Sequence, residues 1–319
     1  MTAGNEALTG IHHVTAICSD AQQNIDFFCG VLGLRLVKLT VNFDDLGSYH
    51  LYYADGLGRP GTIMTYFAWP GAERGRVGPP QATATAFAVP AQALEYWAER
   101  LARHGTDPEY TKDRFGEAVL LFVDPDGMPL ELVAVSTPVG TPWAEGPIPA
   151  EHAIRAFHSV TLSEAEHEPS ATLLTTGMGY RLEAEDGKRR RYTAGAGDGL
   201  AASLDIVAEP DAPQGRMGAG VVHHVAFRVP DDAAQEAWHQ RLTALGYGVS
   251  PVRDRIYFHS IYYREPGGVL FEIATEDIGF TLDEPAEGLG TGLKLPPWLE
   301  ARRAQITTAL PPVQLPTAP

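Results

Sequence analysis

The sequence predicts an α+β protein of four βαβββ modules that pair into two open, barrel-like cups. Three observations carry this. ATAFAVP (84–90) and HVAFRVP (224–230) are near-copies that end on proline and lead into helical stretches. Those stretches, LEYWAERLARHG and AQEAWHQRLTALG, each close on a glycine suited to the residue after a helix. PDGMPLELV (125–133) and PGGVLFEIA (266–274) share Pro-x-Gly-x-x-x-Glu, a tight turn feeding a last strand.

Taken in chain order, the first module spans about 10–70. HHVTAI (12–17) is its first strand, and FFCGVLGLRLVK (27–38) is a helix end, a glycine and a strand. The second spans about 83–137, with KDRFGEAVLLFV as strand between its helix and its last turn. The third, about 154–209, repeats the first: HSVTLS (158–163) opens it and LLTTGMGYRLEA (173–184) follows. The fourth, about 221–276, repeats the second, with RDRIYFHSIYY as its strand run. PGAERGRVGPP (70–80) and STPVGTPWAEGPIP (136–149) read as linkers. The chain thus divides into an N-terminal half, 1–145, and a C-terminal half, 146–319. The tail LPPVQLPTAP is expected to be an arm or disordered. One module cannot close a core alone, so pairs should curl their sheets around a cavity.

With 24 Lys+Arg against 40 Asp+Glu, the net charge of −16 disfavours nucleic acid and anionic membranes. The one basic run, Lys188 to Arg191, is expected to be a solvated hairpin edge. Cys18 and Cys29 form no CxxC pair, which fits a reducing compartment. MTAGNEALTG lacks the pattern of a signal peptide, and no apolar run is long enough to span a bilayer. A cytoplasmic protein is the expectation.

Two modules begin with a histidine doublet, His12-His13 and His223-His224, and the fourth ends with Glu272 in an apolar strand. Strand neighbours point to opposite faces, so one histidine of each pair is expected to face a cavity. A carboxylate among Val, Leu, Phe and Ile is costly unless paired or bound to a metal. Two imidazoles and one carboxylate are the facial set of non-haem Fe(II) oxygenases, with open positions for substrate and dioxygen. The other modules act as an internal control. Glu131 matches Glu272, but Ala84 stands where His224 stands, and Ser159 lies opposite His13 while His158 lies opposite His12. Glu131 and His158 are therefore read as structural or vestigial, without a second metal.

These features resemble the vicinal oxygen chelate superfamily. Within it, HHVTAICSDAQQNIDFF, YHLYYADGLGRPGTIMT, GVVHHVAFRVPD, PGGVLFEIATEDIGFTLDE and LGTGLKLPPWLE resemble the hydroquinone ring-cleaving dioxygenases, of which 2,6-dichlorohydroquinone 1,2-dioxygenase is the type. The resemblance covers nearly the whole chain. It implies that the second histidine of each doublet binds Fe(II), with Mn(II) as an alternative, giving His13, His224 and Glu272 as ligands and O2 as co-substrate. It further implies supporting or catalytic roles for His12, Thr15, His223, Arg255 and Tyr262. Alternation places Thr15 on the side of His13 and turns His12 and His223 away. Arg255 matches Arg114 of the second module, so part of its role is expected to be structural. The implied reaction is dioxygen-dependent cleavage of a ring bearing hydroxyl groups, a hydroquinone or a catechol. Phe227, Tyr257, Phe258 and Phe271 could line a pocket for a flat ring, although core packing accounts for any one of them.

Two other functions fit the same scaffold: a glyoxalase-like isomerase or thiol transferase using Zn, Ni or Mn, and a non-catalytic small-molecule binding protein. The complete ligand set weighs against the second. Since the ligands come from modules one and four, these should share a cavity, leaving two and three to pair. A homodimer or higher homo-oligomer that exchanges His13 between subunits satisfies the same constraint.

Overall fold

Each of the four stretches folds as strand, helix and three strands in the computed structural model, which describes residues 8–111 and 114–316. The first module contains β1 (Ile11–Cys18), α1 (Ala21–Ile25), β2 (Arg35–Asn42), β3 (Asp45–Ala54) and β4 (Ile63–Ala68). The second contains β5 (Gln81–Pro90), α2 (Leu94–Arg103), β6 (Glu109–Tyr110), β7 (Val119–Val123) and β8 (Pro129–Val135). Lys112 and Asp113, the start of the strand run expected there, lie outside the described residues. The third contains β9 (Ala156–Glu164), α3 (Glu168–Thr172), β10 (Tyr180–Asp186), β11 (Arg189–Ala194) and β12 (Ser203–Ala208). The fourth contains β13 (Val221–Val229), α4 (Asp232–Ala244), β14 (Arg253–Asp254), β15 (His259–Arg264) and β16 (Leu270–Thr275).

Local chemistry sets the helix ends. The Asp20 and Asp231 side chains accept from the backbone N–H groups of Gln23 and Ala234, capping α1 and α4. Gly105 and Gly246, just beyond α2 and α4, adopt φ of 77° and 90° with open space where a Cβ would stand. The helices of modules one and three differ in that each runs on into a π-helical turn, Asp26–Val31 and Leu173–Gly177.

The strands form two eight-stranded sheets, β14-β15-β16-β13-β1-β4-β3-β2 and β10-β11-β12-β9-β5-β8-β7-β6. Modules one and four share the first sheet within one chain, and modules two and three share the second. Each sheet therefore takes one module from either half of the sequence. The joints are antiparallel pairs, β1 with β13 and β5 with β9. Alternate residues separate the two faces of the first sheet. Val14, Val225, Phe227, Phe271 and Ile273 join the main apolar core with the helices. Ala226 and Ala274 face the other way, into a second cluster with Tyr52, Ile63, Tyr257, Phe258 and Phe280.

Two expectations need correction, and the alternatives for the tail are decided. The basic run does form the β10–β11 hairpin, but only part of it is solvated: Arg191 is buried on Asp205 and Glu117, and Arg189 also reaches Asp205. The period-two alternation of a strand separates these from the more exposed Arg190, which pairs with Glu168. The 70–80 segment is not a free linker either, because the Gly75 N–H donates to the Ala219 carbonyl, and Arg76 and Arg216 exchange backbone hydrogen bonds. The tail is an arm packed on the molecule as far as Pro316: the Tyr49 hydroxyl donates to the Pro311 carbonyl, and Val313 and Leu315 pack on the core. Its last three residues lie outside the described ones.

The segment after β16 covers the first cup. Phe280 enters the apolar cluster, and the buried Lys38 ammonium donates to the Phe280 carbonyl, Asp283 and Glu284.

Candidate metal centre

His13 on β1, His224 on β13 and Glu272 on β16 lie on three neighbouring strands. The register pairs Thr15 with His224, His13 with Ala226, and Ala226 with Glu272, which brings the three side chains together on the cup face. His13 Nε2 lies 3.3 Å from His224 Nε2 and 3.4 Å from Glu272 Oε2. His224 Nε2 is 2.9 Å from the same carboxylate oxygen. All three residues are buried. The Ser260 hydroxyl donates to Glu272 Oε1 at 2.5 Å, whereas Oε2 has no well-directed hydrogen bond. Among the described residues this is the one group of three or more such side chains with converging donor atoms.

An orphaned, buried carboxylate oxygen facing two imidazole nitrogens fits a divalent cation. The protonation states fit as well. Burial alone would raise the Glu272 pKa, but His13 and His224 outweigh it and hold the carboxyl well below its usual range. Burial lowers the pKa of His224, leaving a neutral imidazole.

The first residue of each doublet does not face away. The β1–β13 register slips at two places. Between Ile11 and His13, β1 carries one residue more than β13, and that extra residue is His12. Between Thr15 and Ala16 the surplus lies on β13 and is His223. Each is the extra residue of a β-bulge, which re-aims a side chain that strict alternation would send to the far face. Both imidazoles thus reach their neighbours. His12 Nδ1 lies 2.9 Å from His13 Nδ1, and His223 Nδ1 lies 2.8 Å from His224 Nδ1. With a cation on the lone pair of His13 Nε2, His13 Nδ1 would carry the hydrogen and donate it to His12 Nδ1.

The remaining expected residues surround this centre. The Tyr262 ring is 5.7 Å from that of His224. Arg255 donates through Nε to the Tyr262 hydroxyl at 3.2 Å and through Nη1 to Asp44 at 3.0 Å. Burial pushes the Tyr262 phenol up, so it keeps its proton. Thr15 is fully buried, and its hydroxyl lies 3.0 Å from that of Thr65. Phe258 lies about equally close to both first-strand imidazoles, its centroid 5.1 Å from His12 and 5.0 Å from His13. Tyr257 shares its cluster, whereas Phe227 and Phe271 pack edge to face in the main core. The backbone between Arg255 and Tyr257 is unusual: Ile256 has φ 70°, a conformation disfavoured for a β-branched residue. Phe115, after Arg114 in the second module, repeats it at φ 53°.

Four polar residues escape the sequence reading: Ser260, Thr65, His50 and Asp44. Ser260 had a signal, since it precedes Tyr262 by two and shares its face. His50, Thr65 and Asp44 belong to no repeated motif.

The second cup holds the corresponding positions in another state. Bulges recur there, with Thr83 and His158 as the extra residues. Arg114 forms a two-bond ion pair with Glu131, at 2.5 and 2.8 Å, and His158 Nε2 lies 2.9 Å from Glu117. A guanidinium thus neutralises the carboxylate that matches Glu272. Arg255, the counterpart of Arg114, turns to Tyr262 and Asp44 instead.

Comparison with known proteins follows from this geometry. The sequence pattern described as "Glyoxalase/Bleomycin resistance protein/Dioxygenase superfamily" matches residues 10–132 and 156–273. The chain is 44% identical over 307 residues to the "Putative ring-cleaving dioxygenase MhqO" of Bacillus subtilis (strain 168), covering 96% of this chain and 97% of that one. It is 36% identical over 308 residues to the "Chlorohydroquinone/hydroquinone 1,2-dioxygenase" of Sphingobium indicum, covering 94% and 95% of the two chains. A crystal structure titled "putative dioxygenase from Bacillus subtilis subsp. subtilis str. 168" superposes with a TM-score of 0.93 at 42% identity, covering 98% of this chain and 99% of that one.

Proposed function

Because this chain belongs to the glyoxalase/bleomycin resistance protein/dioxygenase superfamily, we propose that it is an Fe(II)-dependent ring-cleaving dioxygenase of the extradiol type, acting on hydroquinones or catechols. The observation that carries the reading is the buried set of two imidazoles and one carboxylate with an orphaned oxygen. A hydroquinone dioxygenase at 36% identity over nearly the full length supports the substrate class.

His13, His224 and Glu272 would hold the ion, and Mn(II) suits the same donors. Ferrous iron held by such a set would bind the hydroxyl-bearing ring and dioxygen and pass electron density from one to the other. The chain's own residues do the rest. His12 and His223 orient the ligand rings through Nδ1 and hold their tautomers. Arg255, fixed between Tyr262 and Asp44, places a positive charge where oxygen gains negative charge. Tyr262, kept as a phenol by burial, can give a proton, and His223, whose pKa burial lowers to about 3, can relay it as a neutral imidazole. Tyr257, Phe258 and Phe67 supply flat apolar walls and exclude water.

The test is oxygen-electrode uptake by the anaerobically iron-loaded protein with methylhydroquinone, chlorohydroquinone and catechol. Uptake that requires ferrous iron, with oxygen from O2 in the product, is the expected result. Turnover of glutathione adducts with Zn or Ni, and no oxygen uptake, would instead place the chain among isomerases or thiol transferases.

A further inference from the structure

A run of four side chains leads from the wall of the first cup to the metal centre. The Tyr52 hydroxyl lies 2.9 Å from His50 Nδ1, His50 Nε2 lies 2.8 Å from Thr65 Oγ1, and Thr65 Oγ1 lies 3.0 Å from Thr15 Oγ1. Tyr52 and His50 come from β3, Thr65 from β4 and Thr15 from β1. Tyr52, Thr65 and Thr15 are fully buried. The His50 ring is held between Tyr52 and Phe67, with centroids 4.1 and 4.5 Å away. At the inner end, Thr15 sits two residues from His13 and opposite His224 in the strand register.

Such a run can be polarised in either direction, and its outer end decides which. Burial raises the Tyr52 phenol and lowers His50, so the first keeps its hydrogen and the second stays neutral. Tyr52 otherwise faces the rings of Phe280 and Tyr257, 5.2 and 6.3 Å away, and the ammonium of Lys38 on the paired strand is itself only a donor. Among the described residues its hydrogen therefore has one good acceptor, His50 Nδ1, and leaving that bond unmade would strand a buried donor. A neutral imidazole that accepts at Nδ1 donates at Nε2. Thr65 then accepts from His50 and donates to Thr15.

We propose that Tyr52, His50 and Thr65 are positioning residues that orient the Thr15 hydroxyl, so that Thr15 presents its hydrogen as a preset donor to the open side of the metal centre. The ligand of that donor is an anionic oxygen, of the substrate or derived from dioxygen. A donor aligned before the reaction needs no reorganisation during it. The consequence for turnover rests on the dioxygenase reading; the direction of the hydrogen bonds does not.

The two parts are tested separately. Nitrogen-15 NMR of the histidine rings in metal-free protein, assigned with His50→Gln, reads the tautomer. His50 is expected as the neutral Nε2–H form. An Nδ1–H or cationic His50 overturns the proposal whatever the reaction is. In the iron-loaded protein with methylhydroquinone, Thr65→Val is expected to lower kcat about tenfold or more, with KM and iron content unchanged, and Thr65→Ser to restore it. Wild-type kcat in Thr65→Val overturns the proposal. If the wild-type protein turns over no ring substrate, the dioxygenase reading fails and the tautomer decides alone.

Discussion

Adjacent histidines carry different burdens at this centre. His13 offers Nε2 to the cation, and His12 touches only the far side of that ring. His13→Ala is expected to abolish iron binding, because three donors leave no spare. His12→Ala is expected to keep iron and lose about 10–100-fold in rate, the usual cost of removing a partner that orients a ligand. Metal analysis beside oxygen uptake separates the two. Loss of iron in His12→Ala with retention in His13→Ala would exchange their assignments. Glu272→Gln keeps the shape and removes a negative charge, so iron affinity should drop sharply in the same assay.

At the scale of elements, the joint between β9 and the β15–β16 turn brings two buried carboxyls together. Glu265 accepts from the Ser170 hydroxyl at 2.5 Å and from the backbone N–H groups of Gly267 and Val269 at 2.8 and 2.7 Å. Among the described residues, neither oxygen of Glu164, fully buried at the end of β9, has a hydrogen-bond partner. The two pack around Gly267, where a Cβ would stand 2.5 Å from Glu164 Oε2 and would push that carboxyl aside. Burial first, and then the charge of Glu265, raise the Glu164 pKa to about 8. The unfolded chain loses that proton near pH 4. Between these values the folded state binds the extra proton, so stability falls as pH rises. The slope from this group is at most about 1.4 kcal/mol per pH unit, and it vanishes above the folded value. Urea unfolding from about pH 6 to about pH 8 should show this slope in the wild type and a shallower one in Glu164→Gln. Equal slopes would show that Glu164 is ionised in the fold.

At the scale of the whole molecule, one chain supplies both histidines. Mixing His13→Ala with His224→Ala protein should restore neither iron binding nor oxygen uptake, because the β1–β13 joint is internal to each chain. Recovery on mixing would reveal exchange of modules between subunits. The wild type should hold about one iron per chain, since the Arg114 guanidinium occupies the Glu131 carboxylate of the second cup. Two tightly held ions would mean that this pair opens. Among the described residues no helix is long and apolar enough to cross a membrane.

The repeat pattern by itself determined the modules and their order, and it marked the two histidine doublets and the glutamate from which the converging three come; the resemblance singled out the second histidine of each doublet. Histidine doublets and a lone glutamate in apolar strands are conspicuous because burying such groups is costly, so their positions carry information without coordinates. Requiring those residues to meet also determined that modules one and four pair. The tertiary structure decided what depends on register between distant strands. A one-residue surplus in β1 and another in β13 turn His12 and His223 toward the cup, and no local pattern distinguishes a bulged strand from a regular one. Asp44, His50 and Thr65 gain their meaning in the same way. Each is an ordinary polar residue of a strand or turn until folding sets it against Arg255, Tyr52 or Thr15. Hydrogen bonds act over about 3 Å, a distance that spacing along the chain does not report.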